Sequence, residues 1–222
     1  MVIERKEGLV FNVKKIARIK RKYGLETKIR RKNKYREFKK KQQEHETCPN
    51  HLNREFVQIT PDKVYSMDIT QINYNGSKKA YLAAVKDLCT NEIVGKSVSN
   101  RIDINLSNSA IDKALKRLSS KEKSNLMIHS DQGFHFTHFS YRNKLKKNNI
   151  VQSMSRKGNC IDNAPIESFF GHLKDLLDLR SCENINDVKK EVTKQINYYN
   201  HRRPQLGLEK MPPSEYRRHL SF

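Results

Sequence analysis

Val64-Tyr65-Ser66-Met67-Asp68-Ile69-Thr70, then Ala80 to Leu88 (AYLAAVKDL), then Ile93 to Val98 (IVGKSV) are three apolar or β-branched runs separated by the turn signals Asn75-Gly76 and Thr90-Asn91. Short turns join antiparallel neighbours, so this stretch predicts three consecutive strands. Working outward, Leu106 to Leu118 carries Ala110, Ile111, Ala114, Leu115 and Leu118 on one helical face. Leu126 to His129 reads as a short buried strand ending in Ser130-Asp131, Phe139 to Lys147 as a helix, and Ile150-Val151-Gln152 as a further strand. Asp162 to Leu179 is a long helix with Ile166, Phe169, Leu173, Leu176 and Leu177 at core spacing, capped by Asp162 and Asn163, with Pro165 in its first turn. The sum is an α/β chain: a mixed five-stranded sheet flanked by helices.

The remainder is strongly basic. Of 222 residues, 45 are Lys or Arg and 24 are Asp or Glu, a formal net charge of +21 that points to a polyanionic partner. Between Lys14 and Lys41 stand fifteen basic residues and two acids. Asn12 caps a helix with Val13, Ile16 and Ile19 or Tyr23 as its apolar stripe and Gly24 as its left-handed stop. From Thr27 to Thr47 apolar residues are nearly absent, so this stretch reads as an arm that clamps phosphates or as a solvated charged helix, binding DNA without sequence choice in either case. No apolar stretch approaches the roughly 20 residues of a membrane span, and Met1 to Lys22 lacks the pattern of a secretory signal, so a cytoplasmic, nucleoid-associated protein is expected. Cys48, Cys89, Cys160 and Cys182 are widely spaced and read as reduced thiols. His45, Cys48 and His51 offer three zinc-type ligands but no fourth, which favours a solvated linker. The expected organisation is a basic helical arm over 1–47, a linker over 48–61, a catalytic core over 62–182 and a helical extension and tail over 183–222.

Three acids stand where acids are costly unless paired or bound to metal. Asp68 interrupts the apolar first strand, Asp131 ends the fourth, and Glu167 lies in the first turns of the long helix. Phosphodiester chemistry with two divalent cations needs a few converging carboxylates at strand ends and helix starts. A salt-bridged acid at Asp68 and simple turn chemistry at Ser130-Asp131-Gln132-Gly133 are the bland alternatives. Lys174 follows Glu167 by seven residues, roughly 20° around and roughly 10 Å along the helix, with Gly171 between them leaving room for a backbone to approach. The loop Ser155-Arg156-Lys157-Gly158-Asn159 suits backbone phosphates. His129, His135 and His138 suit positioning or packing, since hard cations prefer oxygen. Tyr198, Tyr199, His201, Arg202 and Arg203 suit DNA, or a tail packed back on the core.

Thirty-five residues lie between Asp131 and Glu167, and the context is more specific than the spacing: HSDQG from His129, SMSRKGNCIDNA from Ser153, ESFFGHLK from Glu167, and MDIT from Met67. With NREF from Asn53, and Tyr198-Tyr199-Asn200 through Arg203 to Pro213, Tyr216 and Arg217, the chain resembles, from about Gly8 to Leu220, the second-reading-frame transposases of the insertion-sequence-three group. That resemblance implies a ribonuclease-H-like, retroviral-integrase-like core and a metal-binding triad of Asp68, Asp131 and Glu167 holding two Mg²⁺ ions, with Mn²⁺ able to substitute. It further implies Lys174 as the following basic residue, and DNA contacts for which Arg156, Lys157, Asn159, Arg202 and Arg203 are the candidates. It also implies a helix-turn-helix protein from the element's first reading frame as partner, and a homo-oligomer on DNA.

Two departures accompany the resemblance. The group's tryptophan three positions before the first acid is Tyr65, in a chain without any Trp. The upstream helix-turn-helix-like segment is represented by one helix, Asn12 to Tyr23, as expected of a shortened copy. The implied activity is DNA strand cleavage and strand transfer, with a catalytically silent DNA-binding protein and a ribonuclease-H-like nuclease without joining activity as the other readings.

Overall fold

A computed structural model describes residue 8 and residues 12–25 and 47–220 of the chain. Two compact units are present, Met1–Glu44 and His45–Phe222. In the first, helix α1 (Val13–Lys22) starts where the sequence places it: the Asn12 side chain accepts from the Lys14 N–H, and Gly24 takes φ +60° after the last turn. None of its residues is buried. The basic stretch from Thr27 to Gln43, and His45 of the zinc-type triplet, lie outside the described residues.

The second unit is a five-stranded sheet in the order β3-β2-β1-β4-β5. Strands β1 (Val64–Tyr74), β2 (Lys78–Asp87) and β3 (Ile93–Ser99) form the expected antiparallel meander, with Tyr74 paired to Lys78 across Asn75-Gly76. Asn75 at φ 40° and Gly76 at φ 72° supply the left-handed backbone that a tight hairpin requires. Helix α2 (Ile104–Leu115), capped by the Asp103 side chain, and the one-turn helix α3 (Ser120–Ser124) carry the chain to β4 (Met127–Ser130), parallel to β1. Helices α4 (Phe134–Thr137) and α5 (Phe139–Lys147) lead to β5 (Val151–Met154), parallel to β4. A 3-10 turn over Cys160–Asn163 precedes α6 (Ala164–Leu176), and α7 (Ile185–His201) and α8 (Pro213–His219) complete the fold.

Strand alternation divides the interior into two layers. Tyr65, Met67, Ala83 and Val85 face α2 and α5, whereas Ile72, Tyr74, Ala80, Leu82 and Ala84 face α6 and α7. Gly95 brings α2 into close contact with β3, since a Cβ there would meet the Ala110 carbonyl oxygen at 2.3 Å. The long helix is shorter than its sequence pattern: it begins at Ala164 and stops at Leu176, because Leu177 turns to extended backbone. Leu176 is accordingly exposed, and Phe170 joins Ile166, Phe169 and Leu173 in the core.

The stretch after residue 47, expected as a solvated linker, is fastened to the edge strand β5. The Met154 N–H donates to the Pro49 carbonyl, the Cys48 thiol donates to the Gln152 carbonyl, and the His51 and Leu52 N–H groups both donate to Ser153 Oγ. Leu52 is buried with Val64 and Leu88. An edge strand offers unpaired backbone groups, and this segment covers them. The tail likewise packs back: Tyr199 lies edge-on to Phe169 at 4.9 Å between ring centres, and Arg217 of α8 reaches Asp62, Asp87 and Glu92.

Candidate active site

The parallel β1–β4 ladder ends on the pair Met67–Ser130, so Asp68 is the next residue along β1 and Asp131 the first residue past the end of the neighbouring β4. Asp68 is 6% exposed and, two residues from Ser66, faces the α6 side of the sheet; its Oδ1 accepts from the Ile69 N–H at 2.7 Å. Asp131 is exposed, and its Oδ1 accepts from the Gly133 N–H at 2.8 Å. A Cβ at residue 133 would stand 2.8 Å from that same oxygen, so glycine is what lets the carboxylate fold over the turn.

The start of α6 is held against the sheet by polar contacts. Ser66 Oγ donates to Asn163 Oδ1 at 2.9 Å, and Lys86 Nζ donates to the Pro165 carbonyl at 3.1 Å. At the other end a groove lined by Asn73, Tyr74 and Asn75 on one wall and Asp175, Leu176 and Leu177 on the other joins the ends of β1 and α6. Strand and helix therefore run side by side in the same direction. Glu167 follows the Ser66–Asn163 contact by four helical residues, about 6 Å, and Asp68 follows it by two strand residues, about 7 Å. Glu167 is half-buried, Lys174 likewise, and the position above Gly171 is open. Among the described residues no group of three or more His, Cys, Asp or Glu side chains is arranged so that it could hold a metal ion.

Asp162 is not the helix cap that the sequence suggests. Its carboxylate is buried and receives Arg54 Nε at 2.7 Å, Asn50 Nδ2 at 3.1 Å, and the Arg156 backbone N–H, Nε and Nη2, each at 2.9 Å. The Arg156 fork, with Arg54 beside it, holds this carboxyl far below the usual aspartate range. Asn163 takes the cap position but makes no side-chain cap bond; its Oδ1 serves Ser66, and its Nδ2 is buried without a partner.

The remaining candidates separate by environment. Arg156 is exposed over half of its side chain while its fork is turned onto Asp162, and Lys157 and Asn159 follow on the turn made by Gly158 at φ 81°. Arg202 is exposed at the end of α7, and Arg203 lies 5.9 Å over the Tyr199 ring. His138 caps α5 by accepting the Ser140 N–H, and His135 packs between Phe134 and Phe136. His129 is buried between two hydroxyls, Ser153 Oγ at 2.9 Å from Nδ1 and Ser155 Oγ at 3.2 Å from Nε2. Because Ser153 already accepts two backbone N–H groups, its own proton goes to Nδ1, while Ser155 donates to the Ser130 carbonyl and accepts from Nε2–H. Burial pushes the imidazole pKa down, in keeping with that neutral form.

Sequence reading missed Lys86 and Arg54. Lys86 had a visible signal, a lysine inside an otherwise apolar strand; it is 6% exposed and burial lowers its pKa to about 8. Arg54 stood in the NREF stretch of the resemblance, but nothing there showed its role, because its partner Asp162 is 108 residues away.

Integrase core domain models match residues 59–160 and 148–213. The chain is 39% identical to the InsK transposase of insertion element IS150 from Escherichia coli K12 over 96% of its length and 73% of the relative's. It is 34% identical to a transposase-like protein of Haemophilus influenzae over 98% of both chains, and 32% identical to the IS904 transposase of Lactococcus lactis over 96% of this chain and 83% of that one. Among solved structures, the HTLV-2 integrase catalytic core, determined with magnesium, aligns with TM-score 0.56 at 17% identity over 71% of this chain and 97% of that one. The simian T-cell lymphotropic virus intasome structure gives 0.60 at 15% identity over 80% and 61%. These likenesses show the ribonuclease-H-like fold. Sheet order, helix placement and the extent of sequence identity agree, and the chain belongs to the integrase-core DDE transposases of the insertion-sequence-three group.

Proposed function

We propose that this transposase cuts DNA at the ends of its element and joins the freed 3′-hydroxyl to a target strand, with Asp68, Asp131 and Glu167 as the acids that hold divalent cations. The observation that carries the reading is the consecutive placement of Asp68 and Asp131 past the last β1–β4 pair, with α6 drawn alongside by Ser66 and Asn163. An all-oxygen donor set suits Mg²⁺, and Mn²⁺ as its substitute. Two such ions, when bound, supply activation of the attacking oxygen and stabilisation of the leaving one. The protein orients the strand. Lys174 faces the same way as Glu167 roughly two turns on and takes a backbone phosphate. Lys157, Asn159 and the outer half of Arg156 take phosphates beside the reacting one, and Arg202 and Arg203 extend the basic track. No side chain forms a bond to DNA in this scheme.

Two element ends must be held together, so two or more copies act jointly on DNA, with the first-reading-frame helix-turn-helix protein supplying end recognition. Labelled element ends incubated with the protein, Mg²⁺ and a target plasmid separate the readings: joined products for a transposase, cut products alone for a nuclease, bound DNA alone for a silent binder. Asp68→Asn, Asp131→Asn or Glu167→Gln is expected to abolish cutting while DNA binding persists, and Mg²⁺-dependent cutting retained by Glu167→Gln rejects the assignment.

A further inference from the structure

Three segments meet on one buried carboxylate immediately before the helix that carries Glu167. Asp162 has a fully buried side chain, and its partners are Asn50 and Arg54, which precede the first strand, and Arg156, which opens the loop after β5. Both of its oxygens are used: Oδ1 by Arg54 and Arg156 Nη2, Oδ2 by Asn50 and the Arg156 N–H and Nε. The next residue, Asn163, is bonded to β1 through Ser66, and Pro165 to β2 through Lys86. The backbone between Arg156 and Glu167 therefore has its strongest tether at Asp162, and that tether is shared with a segment about a hundred residues earlier in the chain.

We infer that Asp162 is a positioning residue for the transposition reaction: its carboxylate couples residues 50–54 to the loop 155–161 and so fixes where α6, and with it Glu167, stands relative to Asp68. This inference rests on the reading of Glu167 as a metal-holding acid. A charged acceptor is required, because five donors, three of them from a guanidinium fork and its own backbone, converge on it. An amide in its place could not accept them all, since one of its two polar atoms is itself a donor. The loop would then be tied only at its ends, and the first turn of α6, left with Ser66 and Lys86 as its polar tethers, would shift by the ångström that matters for ligand geometry.

The test uses the full chain with labelled element ends, comparing Asp162→Asn, Asp162→Glu, Arg54→Gln, Glu167→Gln and the remote control Arg217→Lys. Asp162→Asn is expected to lower kcat for end cutting about 10- to 100-fold and to raise the Mg²⁺ concentration for half-maximal rate, with KM for DNA within about twofold. Asp162→Glu is expected to restore part of the rate. In EDTA, hydrogen exchange of residues 155–161 is expected to quicken in Asp162→Asn and also in Arg54→Gln, whose substitution lies on the other segment, while β1 to β3 stay protected. Arg217→Lys is expected to change neither kcat nor the Mg²⁺ requirement. Should Asp162→Asn not fold, Arg54→Gln decides by the same readouts with a smaller loss. Wild-type kcat, Mg²⁺ requirement and loop protection in Arg54→Gln and in folded Asp162→Asn, beside an inactive Glu167→Gln, overturn the inference. An active Glu167→Gln instead rejects the reading of Glu167, and loop coupling is then judged by hydrogen exchange alone.

Discussion

Two buried ion clusters of opposite construction organise this unit. Around Arg217 one cation serves three acids: Nε reaches Glu92 at 2.5 Å, Nη1 reaches Asp62 at 2.6 Å and Nη2 reaches Asp87 at 2.5 Å, with Tyr65 donating to Asp62 and Arg117 at the rim. Around Asp162 one acid serves two arginines and an amide. Each ties a distant segment to the sheet, the tail in the first case and residues 50–54 in the second. They differ in what lies beyond them. The Arg217 cluster sits at the start of β1 and the end of β2, where it closes the fold, while the Asp162 cluster leads directly into α6. Loss of the first should register as stability and loss of the second as rate.

The largest stability effect expected is that of Arg217→Ala. It leaves Glu92 and Asp62 to Arg117 and Tyr65 but removes the guanidinium from the fully buried Asp87, and breaking a buried ionic partnership of this kind costs about 3 to 5 kcal/mol. Denaturant unfolding should show that loss while the folded fraction keeps a wild-type kcat. A change within about 0.5 kcal/mol would mean that α8 is held by apolar contacts alone and would dissolve the contrast.

Asp162→Asn is expected to have a smaller stability effect with a distinct pH signature. The native carboxyl is held below the ordinary aspartate value of 3.8 by Arg156 and Arg54, so the native state binds fewer protons than the unfolded chain. Its stabilisation is complete above that value and is lost as pH falls below it toward the native pKa. The stability gap between wild type and Asp162→Asn should therefore be constant from about pH 5 to 8 and narrow progressively below about pH 4. A gap as wide at pH 2 as at pH 7 would trace the loss to shape rather than to charge.

The sheet was legible because strand alternation and turn residues are local signals. VYSMDIT, AYLAAVKDL and IVGKSV are three of the observed strands, and the 106–118 pattern covers most of α2. The α/β class and the integrase-like likeness followed from those runs together with HSDQG and SRKGNCIDNA. Limits set by long-range contacts were illegible. Nothing local says that Asp162 accepts from Arg54 rather than capping α6, that Leu52 is buried, or that Arg217 closes onto three acids more than a hundred residues upstream. The end of α6 at Leu176 belongs to the same class, since Leu177 and Leu179 continue the apolar pattern but turn away to start the connection to α7.

The smallest expected effect sharpens the comparison from inside the Arg217 cluster. Tyr65 stands where the related transposases are expected to carry tryptophan; its ring is fully buried and its hydroxyl donates to Asp62 Oδ1. Burial first, and then that bond, push the phenol pKa far up, so the group remains a donor throughout the working pH range. Tyr65→Phe keeps the ring, opens no side-chain cavity and leaves Asp62 its bond from Arg217 at 2.6 Å. The expected loss is about 1 kcal/mol in thermal or denaturant unfolding, the ordinary contribution of one hydrogen bond, with end cutting unchanged. A loss near that of Arg217→Ala would move the centre of the cluster from the guanidinium to the phenol. An altered kcat would mean that the two clusters are coupled through β1, on which both Tyr65 and Asp68 stand, and that closing the fold and positioning the acids are one task rather than two.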